Sequence, residues 1–148
     1  MPVLYIASDQ QSSGRTALVA GLSKTFQDQG YSAHIVKPRY LPVENGSTED
    51  PDFEDYQRIG LPLLNTPILT SLDDLSSGLP KDLIASMNIS TKNKEAEHQI
   101  TVVEGLPGLS LSSQELATAF DAKVIVVLAF TANMTICLLY TSPSPRDR

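Results

Sequence analysis

The sequence predicts a three-layer α/β domain built on a mainly parallel sheet, and three observations carry that prediction. Short apolar or β-branched runs recur along the chain, at 3–7, 33–36, 100–104 and 123–130. They are unbroken rather than alternating, as strands buried on both faces require. Helix-patterned segments separate them, and strands alternating with helices belong to parallel sheets covered on both sides.

The first strand is Val3-Leu4-Tyr5-Ile6-Ala7. From Thr16 to Gln29, Leu18, Val19, Leu22 and Phe26 fall at helical spacing, and Gly30 follows as a stop signal. Ala33 to Val36 forms the second strand, ended by Lys37-Pro38. Strand, polar loop, helix and strand make a βαβ unit, for which a right-handed crossover is expected. Arg39 to Gly78 is less regular, with prolines at 42, 51, 62 and 67, and a short helix is expected from Asp52 to Ile59. Pro80 in a first helical turn, with Leu83, Ile84 and Met87 behind it, predicts a further helix; its apolar face ends after Ile89, and Lys92 to His98 is solvated. The third strand, Ile100 to Glu104, is broken by Gly105-Leu106-Pro107-Gly108. Ser112 and Glu115 fit a capping box, which predicts a helix from Ser113 to Asp121 before the last strand, Lys123 to Phe130.

The chain has 148 residues, 41% hydrophobic and 19% charged, which suits one globular domain with a core. Its net charge of −6 argues against nucleic acid, which needs clustered Lys and Arg. The start lacks the basic region of a signal peptide, so the cytoplasm is the expected setting. A single cysteine, Cys137, excludes an intrachain disulfide framework. The apolar run from Val124 to Tyr140 is interrupted by Thr131, Asn133 and Thr135, which suits a buried strand and not a membrane span. Residues 137–148 closely resemble the translation of a sequencing adaptor. Residues 1–135 are therefore expected to be a partial domain, incomplete at its C-terminal side, and 136–148 a non-native tail. A Pro-Ser-rich disordered tail is the alternative.

Ligands of open α/β sheets bind beyond the carboxyl ends of the strands. Ser8-Asp9-Gln10-Gln11-Ser12-Ser13-Gly14-Arg15-Thr16 lies there, between the first strand and the first helix. Backbone N–H groups and the helix dipole favour anions at such a turn. Its ending falls where the pattern G-x-x-x-x-G-K-[ST] reads Gly-Lys-Thr, but Asp9 holds the first glycine position and Arg15 replaces the lysine. Ser12, Ser13 and Gly14 are candidates for cradling phosphate, Arg15 for pairing with its oxygens, and Thr16 for offering a hydroxyl to Mg²⁺. The alternative is a plain connection capped by Ser12 or Ser13. Glu104 ends a strand and can bind Mg²⁺ opposite Thr16, or can simply be an exposed strand terminus. Within the acidic stretch Glu49 to Asp55, Asp50 and Asp52 are the candidate metal ligands; the stretch otherwise reads as a solvated loop. His34 and His98 lack partners at zinc spacing, and Ser12 and Ser13 lack a G-x-S-x-G elbow.

Leu4-Tyr5-Ile6-Ala7-Ser8, Ser13-Gly14-Arg15-Thr16-Ala17-Leu18, Val36-Lys37-Pro38 and Val102-Val103-Glu104-Gly105 occur in an order that resembles dethiobiotin-synthetase-like P-loop domains. That group includes dethiobiotin synthetase, cobyrinic acid diamide synthases and the N-terminal domain of long phosphate acetyltransferases. The resemblance implies a Rossmann-like P-loop NTPase domain and the cofactors ATP and Mg²⁺. It implies phosphate binding by Gly14 and Thr16, substrate binding by Lys37 and Mg²⁺ binding by Glu104. Arg15, and Gly105-Leu106-Pro107-Gly108 after Glu104, depart from the synthetase pattern. Asp52-Phe53 to Gly60-Leu61-Pro62, followed by Pro67-Ile68-Leu69, is more similar to the phosphotransacetylase-associated branch, whose members often carry a DRTGG regulatory domain downstream. The expectation is thus a regulatory, nucleotide-binding domain, with a homodimer admitted as its assembly. A Mg²⁺-ATP-dependent ligase of dethiobiotin or cobyrinate type and an interaction module without nucleotide are the alternatives.

Overall fold

The computed structural model describes residues 2–10, 13–37, 39–40, 51–64, 68–69 and 98–129. The expected helix behind Pro80, the tail at 136–148, and Ser12 and Asp50 lie outside these residues.

Among the described residues the elements follow in order: β1 (Val3–Ser8), α1 (Arg15–Asp28), β2 (Ser32–Val36), β3 (Arg39–Tyr40), α2 (Pro51–Arg58), β4 (Leu63–Leu64), β5 (Ile68–Leu69), β6 (Gln99–Pro107), α3 (Leu111–Ala119) and β7 (Lys123–Val127). Five strands form one sheet in the order β4-β2-β6-β1-β7, and every pairing in it is parallel. β3 and β5 form a separate parallel pair. The fold is a Rossmann-like three-layer α/β arrangement, as the alternation of strands and helices predicts.

Side-chain alternation along β1 sorts the core into two layers. Val3, Tyr5 and Ala7 pack with Val36, Val103, Leu116, Ala117 and Phe120, so α3 covers that face. Leu4 and Ile6 pack with Val19, Ile35, Tyr56 and Val102, so α1 and α2 lie on the other. Chain order then creates the crevice. β1 leaves through α1 towards β2, whereas its neighbour β6 leaves through α3, on the opposite face, towards β7. Adjacent strands with diverging connections open a cleft at their carboxyl ends, where ligands of such sheets bind.

Helix ends follow the sequence where glycine sets them. Gly30 takes φ +87°, and its N–H reaches the Gln27 carbonyl while that of Tyr31 reaches Phe26. This αL closure satisfies the last carbonyls of α1. Tyr31 then stacks edge-on against Phe26, with ring centroids 6.2 Å apart. The predicted capping box at Ser112 is corrected: the cap is Ser110, whose hydroxyl accepts from the Ser113 N–H. Ser112 is instead buried inside the first turn. Three serines within four positions offer equivalent local cap chemistry, and the burial of Ser112 and Ser113 decides among them.

The third strand is also longer than expected. β6 continues through Gly105-Leu106 to Pro107 before Gly108 turns it at φ +82°. Ile6 is level with Glu104 but Ser8 with Pro107, so β6 carries one extra residue, a bulge. Leu106 thereby joins the α3-side core while Glu104 stays on the α1 side. The glycine is a steric requirement, because a Cβ at Gly105 would lie 2.5 Å from the Tyr5 ring and 2.7 Å from the Ile6 carbonyl oxygen. Tyr5 is fixed there, with its hydroxyl 2.9 Å from Ser113 Oγ and accepting from the Leu106 N–H. Gly105→Ala is expected to destabilise the fold by about 1–3 kcal/mol through overpacking. Urea denaturation checks this, and an unchanged midpoint would contradict it.

Candidate functional site

The carboxyl ends of β1, β2 and β6, with the start of α1 and one face of α2, gather the predicted residues at one point. Gly14, the N-cap position of α1, lies in the left-handed region at φ +84°, and no side-chain capping hydrogen bond forms among the described residues. Ser13 therefore does not cap, and its hydroxyl is buried without a hydrogen-bond partner among the described residues. The first N–H groups of a helix have no partner within it, and at α1 these and the partial positive charge lie at the carboxyl-end side of β1.

Glu104 lies at the centre and is only 1% exposed, which overturns the reading of an exposed strand end. Its Oε1 accepts from Thr16 Oγ1 at 2.9 Å, with Arg15 Nε at 3.5 Å and Lys37 Nζ at 3.8 Å. Its Oε2 accepts from the Tyr56 hydroxyl at 2.5 Å. Asp52 approaches from α2: its Oδ2 accepts from Lys37 Nζ and lies 3.4 Å from Thr16 Oγ1. Two cations and two carboxylates thus share the site. Such burial is tolerable because each carboxylate is paired and hydrogen-bonded.

Arg15 is turned inward. It is 7% exposed, and its Nη1 donates to Ser8 Oγ at 2.7 Å. Asp9, which breaks the glycine pattern, serves the loop instead. Its carboxylate accepts from the Ala129 N–H, and its own N–H reaches the Val127 carbonyl. Together these bonds tie the loop after β1 to the end of β7.

The structure therefore brings together Gly14, Arg15, Thr16, Lys37, Asp52 and Glu104, with Thr16 meeting Glu104 across 88 residues of sequence. The remaining acids of α2 lie outside the site; Glu54 and Asp55 are exposed, and Asp55 pairs with Arg58 on the surface. Sequence reasoning missed Ser8 and Tyr56. Tyr56 follows Asp52 by one helical turn, and residues four apart share a helix face; that spacing was its signal.

Among the described residues no three His, Cys, Asp or Glu side chains surround one point. Thr16 Oγ1, Asp52 Oδ2 and Glu104 Oε1 are nevertheless an oxygen-only donor set. Mg²⁺ commonly takes one or two carboxylates and completes its shell with phosphate and water, so these residues fit it. No described helix is long and apolar enough to cross a membrane. No protein-family model matches the chain, and no curated protein matches it.

Burial pushes the Tyr56 phenol well above its ordinary range, and the neighbouring Glu104 and Asp52 carboxylates add to this against the opposing effect of Arg15. Tyr5 is raised too, chiefly by burial. An unfolded tyrosine releases its proton near pH 10, where these folded phenols retain theirs. Their contribution to stability is therefore full below about pH 10 and is lost as pH rises beyond it. In urea titrations across that range, Tyr56→Phe is expected to show a shallower decline than the wild type. An equal slope would contradict the assignment.

Proposed function

We propose that this chain is a nucleotide-binding domain that takes ATP with Mg²⁺ in a regulatory role, as a cytoplasmic member of the dethiobiotin-synthetase-like group. One observation carries the reading. The hydroxyl of Thr16, in the first turn of α1, meets the carboxylate of Glu104, three residues before the end of β6. A hydroxyl and a carboxylate facing each other beside free helix N–H groups suit a phosphate-bound divalent cation.

In this reading Gly14 and the first N–H groups of α1 hold phosphate, and Lys37 adds positive charge to it. Thr16, Glu104 and Asp52 hold Mg²⁺, which when bound neutralises phosphate charge. The regulatory assignment follows from Arg15. Its Nη1 donates to Ser8 Oγ, and its Nε lies 3.5 Å from Glu104 Oε1 as an ion pair without a hydrogen bond. A lysine in that position is a mobile point charge that can follow a phosphoryl group, whereas this planar fork is buried and held by one hydrogen bond and one ion pair inside the domain.

A second reading, a Mg²⁺-ATP-dependent ligase, draws support from Lys37. The lysine expected to handle substrate lies 3.8 Å from Glu104, at the same cleft. Calorimetric titration of ATP separates the readings. Binding without ADP release supports regulation, substrate-dependent ADP release supports the ligase, and absence of binding contradicts both.

Thr16→Ala and Glu104→Gln are expected to weaken ATP binding about tenfold in Mg²⁺, a loss that shrinks in EDTA. Equal losses in both buffers would contradict a role through the metal. Arg15→Lys is expected to retain or tighten ATP binding without creating turnover. Abolished binding would instead identify the arginine as a bidentate phosphate contact that lysine cannot reproduce.

A further inference from the structure

Glu104 has two oxygens in unequal surroundings. Oε1 faces the shared cluster of Thr16, Arg15 and Lys37. Oε2 is taken by the Tyr56 hydroxyl at 2.5 Å, and that hydroxyl also lies 3.4 Å from the Thr16 carbonyl oxygen. Tyr56 is 1% exposed, so its ring excludes water from this side of the carboxylate. The same face of α2 supplies Asp52 one turn earlier, so one short helix delivers a candidate ligand oxygen and a group that seals another.

This asymmetry bears on which cation can be held. Ca²⁺ takes six to eight oxygens and often binds a carboxylate through both, at about 2.3–2.6 Å. Mg²⁺ takes six at shorter distance in a near-octahedral shell, and single-oxygen contacts with water and phosphate serve it well. A Glu104 with one oxygen sealed offers single-oxygen contact only.

We propose that Tyr56 sets the cation preference of this site, by occupying Oε2 of Glu104 so that the carboxylate offers a metal only Oε1. The proposal rests on reading the cleft as a Mg²⁺–nucleotide site. Tyr56 is a positioning residue in this role, because it acts on the metal through Glu104.

The test is the affinity of the full chain for ATP in Mg²⁺, in Ca²⁺ and in EDTA, measured by calorimetry for the wild type and Tyr56→Phe. The wild type is expected to bind ATP better in Mg²⁺ than in Ca²⁺. In Tyr56→Phe that preference falls about tenfold, a typical effect of removing a group that orients a ligand. A general loosening of the structure would lower both affinities without moving their ratio. An unchanged ratio overturns the proposal while leaving the site reading intact. Wild-type affinity that is equal in Mg²⁺ and EDTA overturns the site reading, and the proposal with it. Should Tyr56→Phe fail to fold, the wild type decides by NMR. Its short phenol–carboxylate hydrogen bond gives a downfield proton resonance, expected to persist when Mg²⁺ and ATP are added. Loss of that resonance on binding overturns the proposal.

Discussion

A carboxylate buried to 1% exposure near the carboxyl end of a central strand constrains everything around it. Glu104 would be several kcal/mol too costly to keep charged there without partners. Those partners come from three directions: Arg15 and Thr16 from α1, Lys37 from the end of β2, and Tyr56 from α2. Satisfying one charge therefore docks both α1 and α2 against the sheet. The pairing is reciprocal, since Arg15 and Lys37 are themselves buried beside the acid they neutralise. The geometry of the candidate site and the packing of this layer are carried by the same contacts.

The bulge in β6 makes that geometry compatible with a packed opposite face. Without the extra residue, Leu106 would follow Glu104 onto the α1 side by simple alternation. With it, Leu106 joins Tyr5 and Leu116 in the core under α3. Gly105 permits this by letting the Tyr5 ring lie directly over the backbone. The Glu-Gly pair is thus a joint in which the acid serves one layer and the glycine the other.

Much of this was legible in the residues, and the limits have physical causes. The apolar runs located β1, β2 and β6, because buried parallel strands advertise themselves by composition; the run at 123–130 also located β7, but the expected burial is corrected, since at the edge of the described sheet Lys123, Val124, Ile125 and Val126 are exposed. Gly30 stopped α1 as its left-handed φ requires. Thr16, Lys37 and Glu104 could be proposed because each stands at the end of an element, where a charge or hydroxyl serves no core. Asp52 stood out less, among neighbouring acids that do lie on the surface. Tyr56 was passed over as a site residue, despite its spacing from Asp52, because an aromatic on a short helix reads as core, and it is core as well. The break assigned at Gly105 failed because glycine in sequence signals a stop and a close approach alike; only the position of Tyr5 distinguishes them. Two-residue strands such as β4, paired to β2 through Ile35 and Val36, carry too few residues to show a period.

The pairing of Arg15 with Ser8 and Glu104 gives the site its particular character. Charge is balanced internally, so an incoming anion competes with carboxylates for the cations already present. In the proposed reading, a divalent cation arriving with it would compensate those carboxylates and favour the complex over the free anion. Whether ligand engages this cleft is most directly answered by amide chemical-shift mapping of the isotopically labelled chain during titration with ATP and Mg²⁺. The account predicts shifts concentrated at Gly14 to Ala17, Lys37, Asp52 and Glu104-Gly105, larger with both components than with either alone. Shifts absent from these residues, or confined to the α3 face of the sheet, would contradict it.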